Sequence, residues 1–169
     1  MESHTQPNRQ LLLIRHAKAV EDDPGGDHAR GLAARGVADA ESLGAWLRAE
    51  GLRPDLILCS TARRTRETLA HLQLGNTPTI LSDKLYLAMP GELLHQIQTM
   101  DDTVTTLAVL AHNPGLHALL GLLAGRFANP ADADRMLLKF PTSACAVLRF
   151  EAPHWHSIAP ETGQLSALR

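Results

Sequence analysis

The chain has 169 residues, with sixteen lysines and arginines against eighteen aspartates and glutamates, so its net charge is −2 when the histidines are neutral. That length suits one domain. The near balance of charges argues against a dedicated nucleic-acid-binding protein, which would carry a basic face. Cys59 and Cys145 lie in apolar runs and predict neither a disulfide framework nor a zinc ribbon. The polar start, MESHTQPNRQ, is unlike a signal peptide or a membrane span, so we expect a cytoplasmic protein.

Short apolar runs and stretches with helix-spaced apolar residues alternate along the chain. Val37, Ala40, Leu43 and Leu47 recur at helical spacing, and Gly51 ends that helix. The predicted elements are, in chain order, a strand at 10–14, a loop at 17–33, a helix at 35–50, a strand at 55–59, a helix capped by Ser60 and ending near 72, a strand at 79–81, a helix opened by Pro90, a strand at 105–111, a helix at about 114–123, a loop at 128–134, and strands at 144–150 and 155–159.

This alternation of strands and helices predicts an α/β fold with a mostly parallel central sheet. Helices should cover both faces of the sheet and make a three-layer sandwich. Between the second strand and the strand at 105–111 there is room for only two helices, so we expect no large cap insertion. The predicted organisation is therefore one domain at 10–169 that follows a flexible segment at 1–9.

Polar and basic side chains directly follow three of the predicted strands. Arg15 and His16 follow the first strand, the segment 60–64 follows the second, and the segment 112–114 follows the strand that ends at 111. In open α/β sheets, ligand sites lie at the carboxyl ends of the strands. Each segment alone also has an ordinary interpretation, such as a solvated helix face or a turn with proline at the first helical position. Together they predict that two histidines and several arginines meet around an anion.

A metal centre is the alternative use for His16 and His112, because histidine is the commonest metal ligand. A catalytic zinc site needs about three protein ligands. Neither histidine belongs to an H-x-H or H-x-x-x-H pair, and Arg15 is adjacent to His16. Arginine stays protonated at any relevant pH and would repel the metal ion. We therefore expect phosphate at this site, with no metal and no cofactor.

Five segments, which together span nearly all of the chain after residue 10, carry a family resemblance. They are LLLIRHAKA (11–19), HARGLAARG (28–36), CSTARRTRETLA (59–70), VLAHNPGL (109–116) and FPTSACAVLRF (140–150). These segments resemble the histidine phosphatase superfamily, also called phosphoglycerate-mutase-like, and within it the small SixA-type phosphohistidine phosphatases. The pair RH is a weak signal alone. Its combination with S-x-x-x-R-x-x-x-T and a later histidine after a strand is specific.

The resemblance implies a role for each matched residue. His16 matches the nucleophile, and Arg15 matches its phosphate-binding neighbour. Ser60 begins the second motif, so Arg64, four residues later, matches the arginine of that motif. His112 matches the second histidine of the pocket. We expect catalysis from His16, Arg15, Arg64 and His112, and phosphate binding from Arg15, Arg64, His112 and Ser60.

The chain departs from the family pattern at the proton donor. Many members have a glutamate in a stretch like L-Y-E-A, whereas this chain reads LYLA at 85–88, so Leu87 stands in the place of the acid. Glu92 is the candidate substitute. Without an acid an alkoxide leaves poorly, but imidazole, whose pKa lies near 6.5, leaves readily once it is protonated. The absence of an acid at position 87 and of a large cap insertion therefore favours a phosphohistidine on a protein as the substrate.

The resulting expectation is a metal-independent hydrolase in signal transduction that takes the phosphoryl group of a phosphohistidine-bearing protein through a covalent intermediate on His16. One alternative is a broad-specificity phosphomonoesterase or phosphosugar phosphatase, whose partner would be a small phosphomonoester. The alternative that is not an enzyme is a phosphate-dependent binding module. We expect no interaction with nucleic acid or with a membrane.

Overall fold

The central strands are apolar on both faces because helices cover both sides of the sheet. In the computed structural model, which describes residues 8–169, the run from Leu11 to Ile14 is at most 1% exposed to solvent. The seven strands of this part of the chain are β1 (Asn8–Arg15), β2 (Leu56–Ser60), β3 (Thr79–Ser82), β4 (Thr106–Ala111), β5 (Ala124–Phe127), β6 (Cys145–Glu151) and β7 (Gly163–Leu168).

The strands form one sheet in the order β3-β2-β4-β1-β6-β7-β5. The pairs β3–β2, β2–β4 and β4–β1 are parallel, and β5 pairs in parallel with β7. Strand β6 is antiparallel to both β1 and β7. The prediction of a mostly parallel central sheet is therefore confirmed.

The five helices of residues 8–169 are α1 (Ala34–Ala49), α2 (Arg63–Leu72), α3 (Pro90–Gln98), α4 (Gly115–Leu123) and α5 (Ala131–Leu138). Alternate side chains of β1 belong to two separate cores. Leu12 and Ile14 pack with residues of α1 and α2 on one face. Leu11 and Leu13 pack with residues of α3, α4 and α5 on the other face. This arrangement is the predicted single-domain, three-layer sandwich.

The predicted last strand, at 155–159, is wrong. Trp155 lies in a short 3-10 turn, Trp155–Ser157, and the last strand is β7. Trp155 and Ile158 are both buried, and a 3-10 turn places residues three apart on the same side. The indole Nε1 of Trp155 donates a hydrogen bond of 2.7 Å to the carbonyl oxygen of Val104. The apolar residues that suggested a strand therefore anchor a turn.

Other boundaries also differ from the prediction. The segment 128–134, predicted as a loop, contains the start of α5, whose first turn carries Asp132 and Asp134 as acidic residues near a helix N-terminus. Strand β5, which directly follows α4, was not predicted. Of the segment 1–9, expected to be flexible, residues 1–7 lie outside the described residues, and the last two belong to β1.

The topology brings the three polar segments to one edge of the sheet. Strands β1, β2 and β4 are parallel neighbours, so the segments that follow their carboxyl ends lie side by side. Between β2 and β4 the chain forms α2, β3 and α3, and no cap is inserted. Within residues 8–169, no helix has both the length and the apolar character needed to cross a membrane.

Close packing of α1 on α2 depends on Gly44. A Cβ atom added at Gly44 would lie 2.1 Å from the carbonyl oxygen of Leu72, whereas one added at Gly121 in α4 meets no atom within 4 Å. We predict that Gly44→Ala lowers the free energy of unfolding by about 1–3 kcal/mol through overpacking. Gly121→Ala, the matched control, should raise it by about 0.5–1 kcal/mol. Urea denaturation measures both, and equal stability of the two variants would contradict this packing.

Candidate active site

A cleft of about 290 Å³ opens where the polar segments meet. Four of its lining residues are basic and one is acidic, so the cleft is suited to an anion. The lining residues are Arg15, His16, Lys18, Ala19, Asp27, Arg30, Arg64, Leu87, His112, Asn113 and Thr142. The structure therefore brings together the predicted residues Arg15, His16, Arg64 and His112, which come from three distant segments of the sequence.

His16 is held in one tautomer. Its Nδ1 lies 2.8 Å from the carbonyl oxygen of Ala17 and must donate to it, so Nε2 is the nitrogen with a free electron pair. Burial lowers the pKa of His16 to about 4, and the charges of Arg64, Arg15 and Arg30 add to this effect. The imidazole is consequently neutral and nucleophilic at pH 7.

Thr68 ties the turn after His16 to helix α2. Its hydroxyl accepts a hydrogen bond of 2.9 Å from the backbone N–H of Ala17 and donates one of 2.7 Å to the carbonyl oxygen of Arg64. The threonine of the S-x-x-x-R-x-x-x-T motif thus fixes the position of the histidine relative to the arginine of the same motif.

Arg15 and Arg64 each keep a buried donor without a partner. Arg64 is only 2% exposed, and its Nη1 and Nη2 donate to Asp27 at 2.7 and 3.0 Å. Arg15 donates from Nη1 to the carbonyl oxygen of Phe140 at 3.1 Å. The Nε atoms of both arginines are buried and make no hydrogen bond within the described chain. The guanidinium charges of both residues, which line the cleft, favour an incoming oxyanion.

Ser60 determines the tautomer of His112. The hydroxyl of Ser60 lies 2.8 Å from Nε2 of His112 and accepts a weak hydrogen bond of 3.4 Å from the backbone N–H of Ala62. Nε2 is the one acceptor of the Ser60 proton within the described residues, so we assign the proton to that contact, which makes Nδ1 of His112 the N–H donor. Burial lowers the pKa of His112 to about 3, with further lowering by His16 and Arg64, so this imidazole is also neutral.

The structure does not bring every predicted residue to the cleft. Ser60 is fully buried, is not among the lining residues of the cleft and contacts Nε2 of His112, so its expected phosphate contact stays a prediction. It is also not the N-cap of α2, where Ala62 takes that position without a side-chain cap. Glu92, the expected candidate donor, is exposed and accepts a hydrogen bond of 2.8 Å from the backbone N–H of Met89 at the start of α3.

The sequence analysis missed a network centred on Asp27. Oδ1 of Asp27 accepts hydrogen bonds from Nε and Nη2 of Arg30 at 3.0 and 2.8 Å, and Oδ2 accepts from Arg64 at 3.0 Å and from the hydroxyl of Tyr86. The hydrogen bond from Tyr86, with those from Arg30 and Arg64, holds the pKa of Asp27 well below its usual range. Asp27 is the one carboxylate among the described lining residues, and it stays ionised at neutral pH.

A signal for this network was present in the sequence. Arg30 belongs to the segment 28–36, which resembles a family stretch, and Asp27 directly precedes that segment. The ring of Tyr86 meets that of His112 edge to face, with centroids 5.5 Å apart. Leu87, the next residue, lines the cleft and is 50% exposed. An apolar side chain therefore occupies the position at which many family members have a glutamate.

Comparison with known proteins identifies the family. Residues 11–86 match the model of the histidine phosphatase superfamily (branch 1). An uncharacterized protein of Mycobacterium tuberculosis is 44% identical over 148 residues, which cover 87% of this chain and 92% of that protein. The chain belongs to the histidine phosphatase superfamily. The family match and the similarity to solved phosphatase structures support phosphatase activity on a phosphorylated substrate.

This histidine phosphatase is also similar to two solved structures. A candidate phosphohistidine phosphatase SixA from Nakamurella multipartitia has a TM-score of 0.83 and 29% identity, over 96% of this chain and 95% of that chain. A candidate SixA from Agrobacterium tumefaciens has a TM-score of 0.78 and 29% identity, over 95% of this chain and 97% of that chain. The family resemblance drawn from the motifs is confirmed.

The neighbouring arginines Arg63 and Arg64 provide a test of the site. Arg64 is buried in the cleft, whereas the side chain of Arg63 is 53% exposed and pairs with Glu67 at 2.6 Å. We predict that Arg64→Ala weakens vanadate binding to the phosphatase by about a hundredfold or more, because a charge-assisted contact to the anion is lost. Arg63→Ala should change it by less than about threefold. Inhibition assays measure both, and equal losses would contradict the assignment of Arg64.

The stability of this histidine phosphatase should depend on pH through His16. Folding lowers the pKa of His16 to about 4, so the folded chain binds fewer protons than the unfolded chain below the unfolded pKa near 6.5. The free energy of unfolding is therefore unaffected by this group above pH 6.5 and decreases as the pH drops toward 4. Between pH 6.5 and pH 4, protonation of His16 should lower the free energy of unfolding by on the order of 3 kcal/mol. We predict that His16→Asn lacks this contribution to the pH dependence. Urea denaturation at several pH values measures it, and parallel curves for the two proteins would contradict a neutral His16.

Proposed function

We propose that this chain is a metal-independent phosphohistidine phosphatase of the SixA type, which forms a covalent intermediate on His16. The observation that carries the proposal is the hydrogen bond of His16 Nδ1 to Ala17, which leaves Nε2 unprotonated in a cleft that Arg15 and Arg64 also line. Four basic residues around the cleft make an anion, rather than a metal ion, its natural ligand. The similarity to two candidate SixA structures supports this function.

The proposed reaction has two displacements at phosphorus. Nε2 of His16 attacks the phosphorus, and the bond from phosphorus to the substrate nitrogen breaks. That nitrogen keeps the electron pair, and the departing imidazole is neutral because its ring already carries a proton. Water then attacks the phosphohistidine on His16, the new phosphorus–nitrogen bond breaks, and inorganic phosphate leaves.

The charge that develops on the phosphoryl oxygens is stabilised by Arg15, Arg64 and His112, which line the cleft. Hydrogen bonds to Phe140 and Asp27 hold the two guanidinium groups in place, so their positive charges are positioned before substrate arrives. Ser60 contributes by keeping the proton of His112 on Nδ1.

The choice of phosphohistidine, a phosphoramidate, over phosphate esters rests on the absence of a carboxylic acid at position 87. Leu87 stands at the rim of the cleft, and Asp27 is ionised by its contacts with Tyr86, Arg30 and Arg64. Neither residue can protonate an alkoxide leaving group, which a sugar phosphate requires. A protonated imidazole needs no such help. The cleft has no inserted cap over it, which suits a phosphoryl group carried on a protein.

This proposal places the enzyme in the cytoplasm, where it would reverse histidine phosphorylation in signal transduction. Cys59 and Cys145 are buried free thiols, which suits a reducing compartment. The partner is a phosphohistidine-bearing protein. A broad-specificity phosphomonoesterase, or a binding module without turnover, would use the same cleft and is distinguished by the experiments below.

The intermediate itself can be trapped. We predict that rapid acid-free quenching with ³²P-labelled phosphohistidine peptide leaves a label on His16 that is stable in base and lost in acid, because a phosphorus–nitrogen bond has formed. His16→Ala should abolish turnover and labelling while the circular dichroism spectrum stays unchanged. A label on His112 would reassign the nucleophile. Stoichiometric binding of the peptide without any turnover would favour the binding module.

Leu87 should determine the preference for leaving groups. We predict that the wild-type rate falls steeply as leaving-group pKa rises, from phosphohistidine to aryl, alkyl and sugar phosphates. Leu87→Glu should raise kcat/KM for alkyl phosphates by about tenfold or more, since general acid catalysis contributes about 10²–10⁴-fold. Leu87→Gln, a control of equal size without a titrating group, should not. Equal wild-type rates on sugar phosphates and phosphohistidine would favour the phosphomonoesterase instead.

A further inference from the structure

A cluster of three metal-ligating side chains lies far from the cleft. Asp102, His154 and His156 are all exposed, and one donor atom from each lies within 4.8 Å of the others. Nδ1 of His154 is 2.7 Å from Oδ2 of Asp102, and the two histidine rings stack with their centroids 5.0 Å apart. Asp102 precedes β4, whereas His112 follows it. The length of this strand therefore puts about 20 Å between the cluster and the cleft.

We propose that Asp102, His154 and His156 bind a divalent transition-metal ion of the zinc class, separately from the phosphatase reaction. Two imidazole nitrogens with one carboxylate oxygen suit Zn²⁺, Ni²⁺ or Cu²⁺, whereas Mg²⁺ and Ca²⁺ prefer oxygen ligands alone. Three protein ligands leave a position for water on a tetrahedral ion. The cleft differs because its two histidines lie among four basic residues.

Buried groups hold the two segments of the cluster in place. The backbone N–H of Trp155 donates to Oδ1 of Asp102 at 3.0 Å, and its indole donates to the carbonyl oxygen of Val104. Arg9, only 3% exposed, donates to the carbonyl oxygens of Asp102, Val104 and Pro153. The histidines and the aspartate are therefore presented by a fixed scaffold, and an ion need not order the segments first.

The positive charge of Arg9 is close to the cluster, but it lies near the oxygen of Asp102 that does not contact His154. The guanidinium lies 3.5 Å from Oδ1 of Asp102, whereas Oδ2 is the oxygen on the side of His154. Three backbone carbonyls around Arg9 also offset its charge. Ligation by both residues would replace the hydrogen bond between Nδ1 of His154 and Oδ2 of Asp102, with release of the proton that this bond holds. Oδ2 is therefore the oxygen that would ligate.

A bound ion would join two segments that are 52 residues apart in the sequence. Because the ligands converge only in the folded chain, the ion would stabilise that state. A free zinc concentration of a hundred times Kd should raise Tm by about 5–10 °C. The ion therefore acts on the fold and not on turnover.

The experiment uses the full chain without a histidine tag, after removal of metal with a chelator. Titration with Zn²⁺ in a calorimeter should show one site that depends on the cluster. His156→Gln is the sharpest variant, because the recorded contact of its ring is stacking on His154. We expect at least tenfold weaker zinc binding and loss of the Tm rise in this variant. His95→Gln, at an exposed histidine of α3, is the matched control and should bind as the wild type does.

Three results would overturn the proposal. One is wild-type protein that binds no zinc at micromolar concentrations, and another is unchanged zinc affinity in His156→Gln. The third is loss of zinc binding in His16→Asn with full binding in His156→Gln, because the ion would then sit in the cleft. Phosphatase activity of His156→Gln should equal that of the wild type and should survive chelation. A fall in that activity would contradict the separation of the two sites.

Discussion

The ion pair between Arg64 and Asp27 joins helix α2 to the turn at Asp27–Ala29, and the geometry of the cleft depends on it. A guanidinium that is only 2% exposed would be very costly to bury without an anionic partner. Asp27 supplies both its backbone oxygen and its carboxylate. The same carboxylate fixes Arg30 and Tyr86, and the ring of Tyr86 borders His112. One charge pair therefore positions much of the wall around His16 and His112.

The surplus of positive charge in the cleft has a chemical effect on the histidines. Burial together with the neighbouring arginines keeps His16 and His112 neutral. The carbonyl of Ala17 fixes the tautomer of His16, and the hydroxyl of Ser60 contacts Nε2 of His112. In the proposed reaction the arginines would therefore bind the anion and also keep both histidines in the protonation state that the chemistry requires.

The sequence predicted those parts of the fold and site that leave a local signature. Strand β1 and the turn after it were predictable because a continuous apolar run ends in Arg15 and His16. Trp155 was misassigned because only the tertiary contact with Val104 shows that its turn is buried. Asp27 was missed because its role arises from partners up to 59 residues away. The motif singled out Ser60, but its spacing could not show that the hydroxyl contacts Nε2 of His112.

Exposure divides the cleft into two classes of residue. His16, Arg64 and His112 are at most 8% exposed and are embedded in contacts with the backbone and with each other, whereas Leu87 is half exposed at the rim. A change at a buried position disturbs several neighbours at once, but a change at the rim alters mainly what an incoming molecule meets. New substrate preferences can therefore arise in descendants of this protein by single substitutions at the rim, while the reaction centre is inherited intact.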